Sequence, residues 1–352
     1  MPERRFGFAI VGAGVIAPFH ARAIGSLPNA SLRVVVDVDT ARAGAVAAPL
    51  GAETTADLDA ALARDDVDVV CVCVPTGLHA EIGCRVARSG KHVITEKPID
   101  VSLAAADRLI QACEENGVKL AVISQMRFLP GVQRVREALT SGDLGTPLLG
   151  QAIVHWYRTK EYFESAGWRA TWELDGGGSL TNQGVHFVDL LQWLLGPVER
   201  VFANCTNRAH DLEVEDVATV LLTFRGGAQG VVQVSTATFP GFVDRLEVYG
   251  TGGTAIVEGG ETALWRTKRE HGETGRYGEM VALADMRAER AEAMEGLPSF
   301  GRHAVQISDM LEAIAQGREP LVNGREARKP LAIIQAAYES SRTRREILLD
   351  AD

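Results

Sequence analysis

The stretch Gly12-Ala13-Gly14-Val15-Ile16-Ala17 constrains this chain more than any other. It follows an apolar run, residues 6–11, and precedes a segment with helical spacing. Gly12 permits the tight turn, Gly14 lets the backbone approach a pyrophosphate, and Ala17 allows a helix to pack close to a sheet. The first helical turn then offers free N–H groups to phosphate. Pro18 falls in that turn, where a missing N–H costs little. A G-x-G-x-x-A turn in this setting predicts a dinucleotide fold, with Gly12, Gly14, Val15 and Ile16 at the cofactor. The second strand, residues 32–36, ends at Asp37, close to the roughly 20 positions expected between the glycines and a ribose ligand. A carboxylate there accepts a hydrogen bond from the 2′-hydroxyl and repels a 2′-phosphate. NAD is therefore expected in preference to NADP.

Alternation continues beyond Asp37. Residues 41–50 read as a helix stopped by Gly51, and 58–63 as a short helix begun by Asp57. Strand 67–74 leads through Pro75 and Thr76 into a helix near 79–89. These turn residues and His79 lie at a strand's carboxyl end and are expected to border the cofactor. The run from Lys91 to Pro98 reads as a buried parallel strand ending in Glu96 and Lys97, with Pro98 biasing Lys97 toward an extended backbone. A cation there faces the crevice where parallel sheets bind ligands. A helix over 103–116 and a strand over 119–124 follow. Strands separated by helices imply a doubly wound parallel sheet.

The pattern changes after Arg127. A helix over 132–139 and a strand over 148–158 lead, further on, to strands at 198–206, 216–225, 228–238, 244–250 and 253–258, several joined by glycine turns. Neighbouring strands after a βαβ half predict a second, mainly antiparallel sheet. Residues 267–300 read as a mobile loop with at most a short helix, and two helices near 302–316 and 330–343 close the chain. The 352 residues thus divide into a dinucleotide domain, 1–126, and a substrate and oligomerisation domain, 127–352.

Composition narrows the partners. A net charge of −10 without a basic block argues against nucleic acid. No run approaches the roughly 18 apolar residues of a membrane span. The N-terminus enters a strand at once, so secretion is not expected and a cytoplasmic location is. Cys71 and Cys73 alternate within a strand and lack a metal-ligand or redox spacer. They read as small core hydrophobes in a reducing compartment, and no metal is expected.

Three of the five tryptophans fall between Trp156 and Trp172, among Tyr157, Arg158, Tyr162 and Arg169. Flat apolar faces mixed with donors suit a polyhydroxylated ligand. Next come Gly176-Gly177-Gly178-Ser179 and a helix-spaced segment. In it Asn182 and His186 are four apart, on one face, with Asp189 a turn further. We take Arg127, Tyr157, Arg158, Trp168 and Arg169, with Lys97, Asn182 and His186, as the substrate-facing candidates.

The GAGVIA start, the EKP tripeptide ending at Pro98 and the GGG…H..D segment together resemble the Gfo/Idh/MocA oxidoreductases. The resemblance covers nearly the whole chain, including the C-terminal NGREARKPLAIIQAAYESS. It implies an N-terminal Rossmann domain and a C-terminal open-faced sheet that assembles a homodimer or homotetramer. It also implies a sugar or polyol substrate, with Lys97 as catalytic lysine and His186 as catalytic histidine. Cyclitol and many sugar dehydrogenases of the family carry Asp where this chain has Asn182. An Asn–His pairing resembles the branch that oxidises nucleotide-linked N-acetylhexosaminuronates. The fold also serves a regulator that binds dinucleotide without turnover, and enzymes that retain their cofactor permanently. Retention of Lys97 and His186 favours an enzyme. In that chemistry Lys97 stabilises alkoxide charge and His186 takes the proton.

Overall fold

The computed structural model describes residues 5–272 and 300–350, so most of the segment read as a mobile loop lies outside the described residues. The chain forms two compact units.

The first unit comprises Met1–Gln125, Glu173–Gly176 and Leu297–Leu331. Its strands are β1 (Phe6–Val11), β2 (Ala30–Val36), β3 (Glu53–Thr55), β4 (Val69–Val72), β5 (His92–Thr95) and β6 (Leu120–Val122). They pair in parallel in the order β3-β2-β1-β4-β5-β6. Between them run α1 (Ala17–Ser26), α2 (Thr40–Ala47), α3 (Leu58–Leu62), α4 (His79–Arg88) and α5 (Leu103–Glu115). The caps follow the sequence. Asp39 and Asp57 accept the first N–H groups of α2 and α3, and Ser102 accepts one from α5. Gly51 adopts the left-handed conformation that ends its helix. β1 and β4 are wholly buried, which accounts for their unbroken apolar sequence. Cys71 and Cys73 lie in this core, and burial pushes both thiols up. β3 was not expected, being a short polar edge strand.

The second unit comprises Met126–Trp172, Gly177–Gly296 and Ala332–Asp352. After α6 (Pro130–Ser141) come β7 (Pro147–His155), α7 (Lys160–Glu164) and α8 (Val185–Leu195). Strands β8 (Val198–Thr206), β9 (Val217–Phe224), β10 (Gln229–Ser235), β11 (Arg245–Gly250), β12 (Gly253–Glu258) and β13 (Glu261–Thr267) follow, then α9 (Lys268–His271). Beyond the undescribed segment lie α10 (Gly301–Gln316), α11 (Gly324–Thr343) and β14 (Ile347–Leu348). The sheet order is β13-β12-β11-β7-β10-β9-β8-β14, antiparallel except for the β7–β10 pair. Strict alternation along β9 sends Ala218, Val220, Leu222 and Phe224 inward. They share a core with Leu180, Phe187, Leu191 and Ile333. The opposite face carries Leu149, Phe202 and Leu221, each about half exposed.

α10 belongs to the first unit, because Ile307, Met310 and Leu311 join that core. α11 begins at Gly324, so Pro330 lies inside it. Among the described residues no helix is long and apolar enough to cross a membrane.

Candidate active site

Register gathers the cofactor-side candidates within the first unit. Val11 lies opposite both Val36 and Val72, and Val72 lies opposite Thr95. The chain therefore leaves β1, β2, β4 and β5 along one edge of the sheet, at Gly12, Asp37, Cys73 and Glu96. Gly12 has φ +93°, and a Cβ there would meet the Cys73 carbonyl oxygen at 2.5 Å. A Cβ on Gly14 would meet nothing within 4 Å, and Val15 is 76% exposed. The turn thus leaves open space before the N-terminus of α1, floored by backbone. Ala17 is fully buried against the sheet. Asp37 Oδ2 accepts the Ala13 N–H at 2.6 Å, and Oδ1 accepts the Asp39 N–H at 2.8 Å. Arg42 Nη2 stands 3.3 Å from Oδ1, a neighbour that the sequence reading missed. An open cradle at a helix start and a carboxylate at the end of β2 fit a nicotinamide dinucleotide.

The Glu96-Lys97-Pro98 segment is held from below. The buried Glu96 carboxylate bonds His20 Nε2 of α1 at 2.8 Å and accepts the Lys97 N–H at 3.3 Å. His303 Nε2 of α10 stands 3.5 Å from the same Glu96 oxygen that His20 bonds. Burial opposes the Glu96 charge, but the two histidines outweigh it and hold the carboxyl well below its usual range. Burial lowers His20. Lys97 is half-buried, and its peptide bond to Pro98 is cis. Asp100 accepts the Ala80 and Val101 N–H groups, tying this loop to the start of α4.

His79 departs from expectation. It is 1% exposed, and its ring nitrogens face the carbonyl oxygens of Pro98 at 2.9 Å and Val74 at 3.1 Å. Burial favours the neutral ring, which donates to one of these carbonyls at a time and so joins the loop after β4 to the loop after β5. Pro75 and buried Thr76 form the turn itself, and the Gly77 N–H donates to Leu174 in the same unit.

The second unit carries the Asn182–His186 segment. Residues Leu180–Gly184 form a π-helical turn that becomes α-helical at Val185. Asn182 lies in the wide turn and buried His186 in the regular helix. The expected uniform helix from Ser179 is therefore replaced by the kind of turn that often marks functional sites. Arg127 also departs from expectation. It is 3% exposed and grips Asp189 through Nε at 2.8 Å and Nη2 at 2.6 Å, under the ring of Trp193. Its charge is answered inside the unit by the Asp189 carboxylate.

Tyr162 is the hub of the aromatic cluster. Its hydroxyl accepts from Arg169 at 3.0 Å and from Gln183 at 3.2 Å, and Gln183 also donates to Asn182. Arg158 and Arg169 stack on the Tyr162 ring, and Arg169 also stacks on Trp168. Ala170, beside them, holds a left-handed backbone with φ +55°. Tyr157 is turned to Phe239, and Trp172 to Glu213 and Tyr338. Sequence reasoning thus gathered the cluster but missed Tyr162 and Gln183 as the link to Asn182.

A Rossmann edge with a carboxylate at the end of β2 and a separate sheet unit carrying an Asn–His segment suit a dinucleotide-dependent oxidoreductase. Residues 6–124 match the model described as "Oxidoreductase family, NAD-binding Rossmann fold", and 132–256 match the GFO/IDH/MocA C-terminal domain. The chain is similar to the D-apiose dehydrogenase of Paraburkholderia graminis, with 29% identity over 98% of this chain and 90% of the relative. It is 30% identical to an inositol 2-dehydrogenase of Rubrobacter xylanophilus, over 72% of each chain. Among solved structures, the WlbA dehydrogenase from Bordetella pertussis, in complex with NADH and UDP-GlcNAcA, shares a TM-score of 0.86 at 30% identity over the full length of both chains. The chain belongs to the Gfo/Idh/MocA oxidoreductase family, and its first domain is an NAD-binding Rossmann domain.

Proposed function

We propose that the protein oxidises, or in reverse forms, a secondary alcohol on a sugar, cyclitol or sugar derivative, using NAD. The observation that carries this reading is the shared edge of β1, β2, β4 and β5, which collects Gly12, Gly14, Asp37, Glu96 and Lys97. Bound nicotinamide supplies the hydride chemistry. Lys97 holds the substrate hydroxyl and stabilises developing alkoxide charge. His186 takes the hydroxyl proton in the oxidative direction and returns it in the reductive one. Asn182, linked through Gln183 to Tyr162, Arg169 and Trp168, orients the polyol. The units centred on residues 1–126 and 127–352 divide this labour, one binding dinucleotide and the other substrate. The half-exposed apolar sheet face supports assembly into a homodimer or homotetramer, and the five free thiols suit a reducing cytoplasm.

A nucleotide-linked uronate is the favoured narrower substrate class. The full-length likeness to a structure holding UDP-GlcNAcA supports it, as does the Asn182–His186 pairing in this sequence. The decisive test is a panel of inositols, free sugars, uronates and nucleotide sugars with NAD⁺, read as reduced cofactor. Lys97→Ala should then lower turnover by on the order of 10²–10³ with dinucleotide affinity nearly unchanged. Silence across the panel, or near-normal turnover in the variant, would overturn the reading.

A further inference from the structure

We infer that Glu215 is a positioning residue that clamps the glycine turn from which the Asn182–His186 segment starts. This rests on the role given to His186 above, but its geometry stands alone.

Glu215 lies just before β9, in the same unit as the turn. Its backbone carbonyl accepts the Ser179 N–H at 3.0 Å. Its Oε2 accepts the Gly178 N–H at 2.9 Å, and its Oε1 accepts the Leu180 N–H at 2.7 Å. One residue therefore captures three successive N–H groups at the start of a helical segment, where no intrahelical partner exists. From the other side, the hydroxyl of Tyr338 on α11 donates to this carboxylate, 3.1 Å from each oxygen, and lies 2.7 Å from Thr181 Oγ1. Thr181 is the immediate neighbour of Asn182.

The close approach explains the glycines. A Cβ on Gly178 would come 1.8 Å from the Glu215 carbonyl oxygen. A Cβ on Gly177 would come 2.1 Å from the Tyr338 hydroxyl, at φ +145°. These two glycines make room for the clamp, so a motif that reads as a helix opening is one part of a three-part joint. The other two parts lie far away in sequence, at Glu215 and in the C-terminal AAYES stretch.

The clamp depends on charge. A carboxylate offers two full acceptors to the two N–H groups, and a protonated carboxyl offers one good one. Burial raises Glu215 to about 7 against the hydrogen bonds from Leu180, Gly178 and Tyr338. Tyr338 and Cys205 are the titratable groups that face it, and burial keeps both protonated. Neighbouring Asp216 is turned away, accepting from Arg208, Ala209 and His210.

The test uses full-length Glu215→Gln and Tyr338→Phe. Hydrogen exchange over residues 178–186 needs no substrate. It should quicken in both variants, more in Glu215→Gln. With a substrate in hand, kcat should fall by roughly 10–10² in Glu215→Gln, the cost of a small misplacement, while dinucleotide Kd stays within about twofold. The acid limb of log kcat/KM should approach a slope of two in the wild type, where Glu215 must be ionised and His186 neutral, and fall to one in Glu215→Gln. If Glu215→Gln does not fold, Tyr338→Phe, which keeps the carboxylate, carries the exchange and kcat arms. Unchanged exchange, unchanged kcat, or parallel loss of kcat and dinucleotide affinity would overturn the inference. If the wild type oxidises no alcohol, the functional reading fails, and the exchange data still decide the clamp.

Discussion

Arg127 and Asp189 meet as a buried two-point ion pair, with both side chains 3% exposed, one helical turn beyond His186. Planar guanidinium against carboxylate is the geometry in which a buried pair holds best. Asp189→Asn leaves the buried guanidinium facing an amide. It should cost on the order of 3–5 kcal/mol by urea denaturation. The double variant Arg127→Met, Asp189→Leu should recover much of that loss, since an apolar pair of similar size avoids burying charge. No recovery would mean that the pair makes further buried contacts that apolar side chains cannot replace.

The same pair sharpens a prediction for Asn182. Because Arg127 answers the Asp189 charge, a carboxylate introduced at position 182 should act on His186 without a strong rival. Oxidation needs neutral His186, and a nearby anion favours its charged form. Asn182→Asp should therefore move the acid limb of kcat/KM to higher pH. An unmoved or lowered limb would remove His186 as the base, or separate the two side chains.

Much of this was legible in the sequence, and the rest was hidden for physical reasons. Gly12, Asp37 and Lys97 are readable because each sits at the end of an apolar strand, and period alone locates strand ends. His20 is not readable, since on a helix it looks like any other histidine until Glu96 is folded against it. His303 and Glu215 depend on packing across long stretches of chain. β3 and β14 were missed because short edge strands carry too few residues for a pattern. The π-turn at Asn182 was missed because helical spacing does not distinguish it from an α-helix.

We predict that Asp37 and Arg42 set a cofactor preference that one change should loosen. As the proposed ribose ligand, Asp37 would repel a 2′-phosphate, and Arg42 stands 3.3 Å away. The wild type should bind NADH more tightly than NADPH. Asp37→Ser removes the repulsion and releases a cation suited to phosphate. Titration of both reduced cofactors should then show the preference shrink or invert. Equal wild-type affinities would reject the role of Asp37.

His20, Glu96 and His303 present the donor set that divalent transition metals accept, and their ligand atoms lie within 4.8 Å of one another. The 2.8 Å bond between His20 and Glu96 already uses two of those donors, and we predict a hydrogen-bonded support. Dialysis against a strong chelator should leave dinucleotide affinity unchanged, and elemental analysis should find no stoichiometric metal. A bound equivalent of metal would reassign the cluster. Both His20 and Glu96 are lowered in the folded chain, so their stabilisation is present above their unfolded values and lost as pH falls. His20 should begin to weaken the fold below about pH 6.5. His20→Gln should flatten that acid loss in urea titrations.

Glu215 predicts the opposite sign. Its folded value is raised from 4.5 to about 7 by burial. The folded chain therefore holds a proton that the unfolded chain releases. Stabilisation from this group is complete below pH 4.5 and lost as pH rises through about 7, a change on the order of 3 kcal/mol. The ionised form that clamps Gly178 and Leu180 best is thus the form that burial disfavours. Activity should rise with pH over the window in which stability falls. Urea unfolding of the wild type and Glu215→Gln, compared at about pH 5 and pH 8.5, isolates the group, because other titrations are common to both. The wild type should lose stability relative to the variant on going to the higher pH. A constant difference between them would mean that Glu215 stays ionised throughout, and the second proton would vanish from the acid limb of the rate profile.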